Sequence, residues 1–478
     1  MKYGVNPVNI LFLNPPFRGT FNREVRFQAV SPQKALHPPI MLAYAAAVCE
    51  KEGHKVDVID APALEIGENE VMKRIAKFRP DFAVMLTSTA SVISDGKIAE
   101  KIAKRTGAKT VAVGVHATAV PDDTLGRGFD IVARGEYEYT VKELAQGTPL
   151  PKVLGISYRK GKKVLGNAPR PLIRDLDELP FPLRKYLPNE KYYSALYKNP
   201  FTFMLAGRGC PHQCIFCATP QLMSGRGYRM RSVGNVVDEM EYLEKNFRFK
   251  SVLFNDDTLN VNKKYILELC REIKGRGIKI PWIAYSRVDS VDLEIAKAMK
   301  GAGCFLVKVG FESGNPQILK NMKKGARATV EQAKEAAKLF RDAGIQVHGT
   351  FVFGMPGETK DTIRQTIDFA KGLDLDFVQF SIAQAYPGTE FYEYLKKNNY
   401  LRYKTWEDYL DDCGCIKPMF EYPNLSIPEM EKGIKTAYRE YYLRPRYIAK
   451  AIRQRLTNWE LFKTSLRSGI TLIRYLRG

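Results

Sequence analysis

The feature that most constrains this chain is an alternation of short apolar runs with longer amphipathic stretches, which occurs twice along the sequence. Short apolar runs fit buried parallel strands, and the stretches between them fit the helices that connect such strands. In the first series, the predicted strands are residues 9–14, 56–60, 82–86, 110–114 and 131–133. We therefore predict an α/β fold that begins with a doubly wound, Rossmann-like parallel sheet over residues 1–147.

Polar and small residues follow the ends of these strands. Open parallel sheets bind their ligands at the carboxyl ends of the strands, so these positions are the candidate binding residues of the domain. They are Asn14, Asp60, Thr87, Ser88, Gly114 and His116, together with Glu136 after the fifth strand. A packing or surface role is the alternative for His116.

The second series predicts a partial (β/α)6 TIM-type barrel over residues 195–392. Its strands are predicted at residues 201–205, 250–254, 282–285, 305–310, 347–354 and 377–381. The chemistry of such a barrel gathers at the rim formed by the carboxyl ends of the strands. Residues 148–194, which include a hairpin-like stretch and the run Leu179-Pro180-Phe181-Pro182, are predicted to be an ordered linker.

Three of the eight cysteines, Cys210, Cys214 and Cys217, follow the first predicted barrel strand within eight residues. Thiolates this close in sequence can hold an iron-sulfur cubane from one loop, and three ligands leave one iron open to another molecule. The alternatives are a zinc knuckle and plain buried cysteines. Zinc needs a fourth ligand, and His212 lies between the first two cysteines, where joint tetrahedral ligation is awkward.

Two further cysteines, Cys413 and Cys415, flank a glycine. The sequence leaves open whether they form a second metal or redox site or a loop pair without chemistry.

The cysteine spacing, with an aromatic residue before the last cysteine, resembles the signature of the radical S-adenosylmethionine (SAM) superfamily. The resemblance implies a 4Fe-4S cluster whose open iron is chelated by the amino and carboxylate groups of SAM, with Phe216 beside the adenine. It assigns no catalytic acid or base. Further rim residues match cofactor-binding positions of that family: Asp256 and Asp257 after the second strand, Arg287 after the third, Glu312 and Ser313 after the fourth, and Gly354 in the turn after the fifth. The alternatives are a salt bridge for Arg287 and for Glu312, and a tight helix-entry turn at Gly354.

The strand ends of the N-terminal domain resemble the cobalamin-binding domain that precedes the barrel in one class of radical SAM enzymes. The chain departs from the wider cobalamin pattern in two respects: it has no Asp-x-His-x-x-Gly motif, and Gly114-Val115 stands where a glycine pair is usual. The first departure is common in this class, and the second is a difference from the class pattern. The alternative is a Rossmann-like sheet without cobalamin.

The resemblance implies an enzyme that cleaves SAM reductively and methylates an unactivated carbon with the help of cobalamin. Radical-mediated cyclisation or rearrangement of a lipid or tetrapyrrole is the alternative within the class, which includes the anaerobic magnesium-protoporphyrin ester cyclase and hopanoid-pathway enzymes. A reductase, ferredoxin or flavodoxin would supply the electrons. A cluster-bearing RNA-binding or regulatory protein remains as the non-enzymatic hypothesis.

The net charge of +22 is concentrated partly in residues 441–478, which contain nine Lys or Arg and one acid. Residues 393–478 are predicted to be mostly helical and to end in a basic amphipathic tail. That tail could rest on a membrane surface, cover the active-site rim or pack on the barrel. The chain has no apolar run of membrane-spanning length and no signal-peptide pattern, so we expect a cytoplasmic protein, with nucleic acid an improbable partner.

Overall fold

The computed structural model describes residues 6–31, 33–325 and 328–455. Its N-terminal part contains five parallel strands in the order β2-β1-β3-β4-β5. The strands are β1 Asn9–Asn14, β2 Lys55–Asp60, β3 Phe82–Leu86, β4 Lys109–Val113 and β5 Ile131–Ala133. The helices are α1 Ile40–Lys51, α2 Ala61–Leu64, α3 Glu68–Phe78, α4 Val92–Thr106, α5 Val115–Ala119, α6 Pro121–Gly126 and α7 Glu138–Ala145. The predicted Rossmann-like fold is confirmed, with strand bounds that differ by at most one residue.

The same sheet continues into the segment predicted as a linker. β6 Ile156–Lys160 and β7 Lys163–Gly166 form a hairpin that pairs antiparallel with β5, so the sheet has seven strands and is mixed. Gly161 supplies the positive φ of the hairpin turn. The hairpin covers the edge of β5, whose unpaired backbone groups would otherwise face solvent.

The barrel sheet has six parallel strands in the order β15-β14-β13-β12-β11-β8, as a partial barrel requires. The strands are β8 Phe201–Met204, β11 Ser251–Phe254, β12 Trp282–Ser286, β13 Cys304–Glu312, β14 Gln346–Phe353 and β15 Phe377–Ile382; the short pair β9 Gly207–Arg208 and β10 Arg229–Met230 lies beside them. The helices are α8 Val233–Asn246, α9 Lys263–Gly275, α10 Leu293–Gly301, α11 Pro316–Asn321, α12 Val330–Asp342 and α13 Lys360–Leu373.

The central barrel strands β11, β12 and β13 bury their two faces in two different apolar clusters. Residues such as Trp282 and Val307 belong to the cluster shared with the surrounding helices. Residues on the inner face, among them Phe203 and Leu306, belong instead to a cluster that includes strands and helices of the N-terminal domain. The two domains therefore share one continuous apolar core, which holds the two strand-end rims in a fixed relation.

The C-terminal region is helical, with α14 Glu390–Lys397, α15 Ile427–Tyr442 and α16 Pro445–Arg455. Tyrosine hydroxyls of α15 form hydrogen bonds with the edge strand β15 of the barrel. The hydroxyl of Tyr438 pairs with the backbone N–H and C=O of Phe380, and that of Tyr442 pairs with those of Val378. These hydroxyls pair backbone groups that an edge strand leaves free.

The predicted amphipathic tail lies mostly outside the described residues. Ile448 and Ile452 of α16 are exposed, whereas Leu456, Trp459, Phe462, Leu466, Ile470 and Ile473 are not described. Among the helices of the described chain, none combines the length and the apolar character needed to cross a bilayer.

Candidate active site

The cysteine loop follows β8 and β9 and is held by its own backbone. Gly209 has φ +92°, and a side chain there would collide with the carbonyl of Gly227. The amide of Gln221 donates to the carbonyls of all three residues Cys214, Ile215 and Cys217, at 3.3, 3.1 and 2.8 Å. Because these carbonyls are fixed, the loop presents its thiols from a defined backbone.

The thiols suit a cubane better than a single metal ion. All three cysteines are free, and within the described residues no three Cys, His, Asp or Glu side chains converge on one ion site. A cubane places each cysteine on a different iron, so such convergence is not required. Burial raises the pKa of Cys217 to about 12, so this thiol keeps its proton unless a metal replaces it.

Two arginines add positive charge beside the loop. The guanidinium of Arg26 interacts with Cys217, and that of Arg287 interacts with Cys210 and Cys214. Cations near three thiolates offset the negative charge that a thiolate-bound cluster carries. The loop therefore fits the cluster that the sequence predicts.

Asp256 and Asp257 lie at the end of β11, but they point to different partners. Asp256 is buried and accepts hydrogen bonds from the backbone N–H groups of Ala206 and Gly207, at 3.1 and 2.5 Å. Burial raises its pKa to about 7. Asp257 accepts from Arg26 at 2.6 Å and from Ser224 at 3.0 Å. Asp256 thus supports the start of the cysteine loop, and Asp257 connects that loop region to Arg26.

Glu312 and Arg287 stand at neighbouring strand ends. Glu312 is buried with φ +67° at a register shift of β13, and it pairs with Lys324 at 2.7 Å. Arg287 pairs with Asp289 through two contacts of 2.9 Å and donates to the carbonyl of Lys324 at 2.7 Å. A left-handed backbone at a buried glutamate is costly, and such strain is typical of functional sites.

Three more predicted residues lie around this rim. The Ser313 hydroxyl is 3.1 Å from that of Thr366. Phe216 is half-buried against the barrel core. Gly354 has φ +84°, and a Cβ there would lie 2.8 Å from the ring of Phe420, so this turn is packed under the C-terminal region.

Buried polar side chains form a cluster at the strand ends of the N-terminal sheet. Asp60 accepts hydrogen bonds from Asn14 and from the hydroxyl of Tyr192, both at 2.8 Å, and burial raises its pKa to about 6. Thr87 donates to the carbonyl of Val113 at 3.0 Å. Ser88 lies 2.7 Å from the hydroxyl of Ser91.

Gly114 and Gln28 also lie at this polar cluster. Gly114 has φ +113°, and a Cβ there would lie 2.6 Å from the carbonyl oxygen of Thr87. The absence of a side chain therefore lets the backbone of Gly114 approach that of Thr87. Gln28 accepts from the N–H of Thr89 at 3.0 Å, whereas its buried Nε2 has no partner among the described residues. A buried unpartnered donor next to small residues fits the polar edge of a cobalamin.

His116 is buried, and its ring is already engaged. Its two nitrogens lie 3.3 Å from the hydroxyl of Thr89 and 3.4 Å from Asp123. The indole of Trp406 packs edge-on against the ring at 5.1 Å and donates to Asp123 at 3.0 Å. Burial lowers the pKa of His116, so the ring is neutral.

Glu136 joins the two domains through ion pairs. It lies 2.8 Å from Arg229 and 3.3 Å from Arg208, and Arg208 also pairs with Glu138 at 2.6 Å. Arg208 and Arg229 belong to the short strands β9 and β10 beside the cysteine loop. Every one of these side chains is at least 87% buried.

The sequence missed a set of residues that enters the barrel from outside it. Residues 15–31 and 33–39, which follow β1, form no helix and no strand of a sheet. Arg26 in this segment donates to Asn255 and Asp257 and stacks on the ring of Tyr285 at 4.7 Å. Glu24 and Lys308 lie nearby. The length of this segment is the signal that could have found it, because structureless loops this long inside compact domains are usually functional.

A doubly wound sheet whose ligand rim stands beside the cysteine-bearing rim of a partial barrel defines a cobalamin-dependent radical SAM enzyme. The Radical SAM superfamily profile matches residues 204–370, and the B12 binding domain profile matches residues 30–145. An uncharacterized methyltransferase of Pyrococcus horikoshii is 36% identical over 453 residues, which cover 93% of this chain and 95% of the relative. The chain belongs to the cobalamin-dependent radical SAM methyltransferase family and uses a 4Fe-4S cluster, SAM and cobalamin.

Two further similarities are more distant. The anaerobic magnesium-protoporphyrin IX monomethyl ester cyclase of Cereibacter sphaeroides is 25% identical over 441 residues, covering 85% of this chain and 67% of the cyclase. The radical SAM methyltransferase TsrM of Kitasatospora setae, solved with tryptophan and a SAM analogue, has a TM-score of 0.71 over 90% of this chain and 88% of its own, at 20% identity. The likeness to TsrM shows a shared fold. Membership of an enzyme family overturns the alternative of a non-enzymatic RNA-binding protein.

Proposed function

We propose that this enzyme methylates an unactivated carbon of an apolar small molecule bound in the barrel. Family membership supplies the reaction class, and the apolar inner face of the barrel favours an apolar substrate. Such a reaction also needs an external electron donor, for which a ferredoxin, flavodoxin or reductase is suited.

The observation that carries this proposal is the contact between the two strand-end rims. The Thr118 hydroxyl, at the end of the helix that follows β4, donates to the sulfur of Met223 at 3.7 Å. Met223 ends the short helix that follows the cysteine loop. A Cβ added at Gly388 would lie 2.9 Å from that of Ala119, so the turn after β15 packs closely against the end of the same helix. A methyl donor held by the first rim would therefore face a radical site held by the second.

The side chains of the chain itself hold and orient the reactants. When bound, the cluster and SAM supply hydrogen abstraction, and cobalamin supplies the methyl group. Cys210, Cys214 and Cys217 would ligate iron. Asp257 and Glu312 would contact the ammonium or ribose of SAM, with Phe216 against its adenine. Arg26 would balance the charge of the thiolates and close the barrel opening, which keeps water away from the reacting carbon.

Alanine at Cys214 tests the cluster assignment. Cys214→Ala should abolish the cluster absorbance and reduce formation of 5′-deoxyadenosine from SAM by at least about a hundredfold, because the open-iron cubane cannot assemble on two thiolates. The measurement uses anaerobically reconstituted, reduced protein without added substrate. Cys413→Ala is the matched control and should leave both signals unchanged. Full cleavage by the Cys214 variant would refute the ligand set.

The transfer itself is tested with methyl-labelled SAM. Extracts supplied with this SAM and the holoenzyme should yield a product heavier by one labelled methyl group. Cyclisation is the second candidate, because a curated relative is a cyclase. A product that gains a ring and no label would establish cyclisation and contradict methyl transfer.

We further propose that the basic C-terminal segment places the enzyme at the cytoplasmic face of a membrane. Ile448 and Ile452 project from α16 at 42% and 56% exposure, and arginines and lysines lie between the apolar residues that follow. An apolar face framed by cations is the usual composition of helices that lie on anionic bilayers.

A further inference from the structure

A row of four side chains crosses the interior of the barrel. The parallel register pairs Tyr285 with Lys308, Lys308 with His348 and His348 with Phe377. Side chains paired in this way project from the same face of a sheet. This is the inner face, because Leu306, two residues before Lys308, belongs to the inner apolar cluster. The row therefore lies next to the apolar residues of the inner cluster.

Lys308 is a cation without a full counter-charge. Its Nζ is 3.2 Å from the hydroxyls of both Tyr197 and Tyr285, and within the described chain no carboxylate lies at ion-pair distance from it. Burial raises the pKa of nearby Glu24 to about 7, so this carboxyl carries only about half a charge near neutral pH. Arg26, the other cation of the region, is already paired with Asp257 at 2.6 Å.

His348 adds a second, independent sign of a missing ligand. Its side chain is 4% exposed, and its Nδ1 has no hydrogen-bond partner in the part of the chain that the structure describes. Burial, aided by the charge of Lys308, lowers the pKa of the ring to about 3, so the ring is neutral. A buried ring nitrogen without a partner is unfavourable, and a ligand that pairs with it relieves that cost.

We propose that Lys308 and His348, with the hydroxyls of Tyr197 and Tyr285, bind an acid group of the substrate. The substrate would then be an apolar molecule that carries a carboxylate or a phosphate. This inference rests on the proposed function, since it takes the barrel interior as the substrate site. Glu312 at the rim is four residues beyond Lys308, roughly 13 Å along the strand, so the acid group would lie deeper in the barrel than Glu312.

Calorimetry with simple amphiphiles tests the proposal. Holoenzyme is titrated with dodecanoate, dodecyl phosphate and dodecanol, each below its micelle concentration, for wild type, Lys308→Met and Lys308→Arg. At least one anion should bind wild type about tenfold or more tightly than the alcohol, because a charged hydrogen bond forms only with the anion. Lys308→Met should lose that preference, and Lys308→Arg should keep part of it. The preferred anion distinguishes a carboxylate from a phosphate substrate.

Matched variants guard against trivial losses. Lys334→Met removes an exposed lysine of α12 and should bind all three ligands as wild type does. His348→Leu should weaken binding of the anion and leave binding of the alcohol unchanged. This second variant keeps the test informative if Lys308→Met does not fold.

Three results would overturn the proposal. They are equal binding of anion and alcohol by wild type, unchanged preference in both the Lys308→Met and His348→Leu variants, and loss of bound cobalamin in Lys308→Met, which would assign the cation to the cofactor. Formation of 5′-deoxyadenosine without substrate is measured on the same preparations. If wild type forms no 5′-deoxyadenosine, the proposed function is contradicted. The preference for the anion over the alcohol tests only the acid-binding site.

Discussion

Buried charged residues determine the geometry of the cysteine rim. Asp256 bonds the backbone where the loop begins, and Arg287 connects Asp289 to the carbonyl of Lys324. Lys324 in turn holds Glu312 in its left-handed conformation. Charges in a low-dielectric interior orient each other strongly, so the rim is organised before SAM arrives.

Glu358 gives this rim a pH-dependent stability. Its carboxyl is 1% exposed, and burial raises its pKa from 4.5 to about 7. In the folded protein it stays neutral up to about pH 7, whereas in the unfolded chain it ionises above pH 4.5. The folded state therefore loses stability as pH rises from 4.5 to 7.

Glu358→Gln should remove this loss. We compare the free energy of unfolding of the variant with that of wild type at each pH. The variant's advantage over wild type should be about 2–3 kcal/mol larger at pH 8 than at pH 4.5. Urea denaturation at the two pH values measures the difference. Glu335→Gln, at an exposed position of α12, is the control and should show no such change. A pH-independent difference for Glu358→Gln would contradict the buried neutral carboxyl.

Two elements outside the sheet complete the folded barrel. The segment after β1 enters the opening of the barrel through Arg26, and α15 covers the edge of β15 through its tyrosine hydroxyls. An edge strand leaves backbone groups without a partner, so the hydroxyls of α15 meet a physical requirement of the partial barrel. The helix after α15 also packs here, since Arg446 and Lys450 of α16 pair with Asp374 and Asp376 before β15, at 3.1 and 3.2 Å.

Deletion of residues 456–478 should release the enzyme from anionic membranes. The segment contains four Lys or Arg and one acid, and each cation near an anionic surface contributes about 1 kcal/mol. Partition into vesicles of phosphatidylglycerol and phosphatidylcholine should fall by about tenfold or more in a flotation assay. A Lys334→Gln, Lys338→Gln double variant on α12 is the charge control and should partition as wild type does. Equal partition of truncated and intact protein would show that the tail has a packing role instead.

At the scale of the whole molecule, the two domains act as one unit. The inner face of the barrel and the N-terminal sheet share an apolar cluster, and the Glu136, Glu138, Arg208 and Arg229 ion network crosses the same boundary. The sequence predicts Glu136 as a cofactor residue, and the structure places it between two arginines. Its observed contacts support the alignment of the two rims.

Glu136→Gln should destabilise this junction. The change leaves Arg229 buried without a carboxylate, which typically costs about 3 kcal/mol. Urea unfolding of the full chain measures the loss. Glu68→Gln, which breaks a solvent-exposed pair with Lys101, should cost less than about 1 kcal/mol. A loss of similar size in both variants would mean that the Glu136 network contributes no more than a surface pair.

The strands and the cysteine loop could be predicted because their signals are local. Apolar runs mark strands wherever both faces are buried, and β3 and β5 begin and end at the predicted residues. The thiol spacing is equally local, since one loop supplies all three sulfurs. Asp256 shows the limit of such reasoning, because its position after β11 was visible and its backbone partners fifty residues earlier were not.

The sequence by itself determined two αβ units, their order, and a three-thiol loop at the start of the second, because each follows from periodicity or spacing along the chain. Only the tertiary structure decided what stands opposite what: Arg26 against the barrel, Trp406 against His116, and Lys308 beside a histidine without a partner. These contacts join residues far apart in the sequence, and they depend on side-chain packing across elements, for which a single sequence carries no periodic signal.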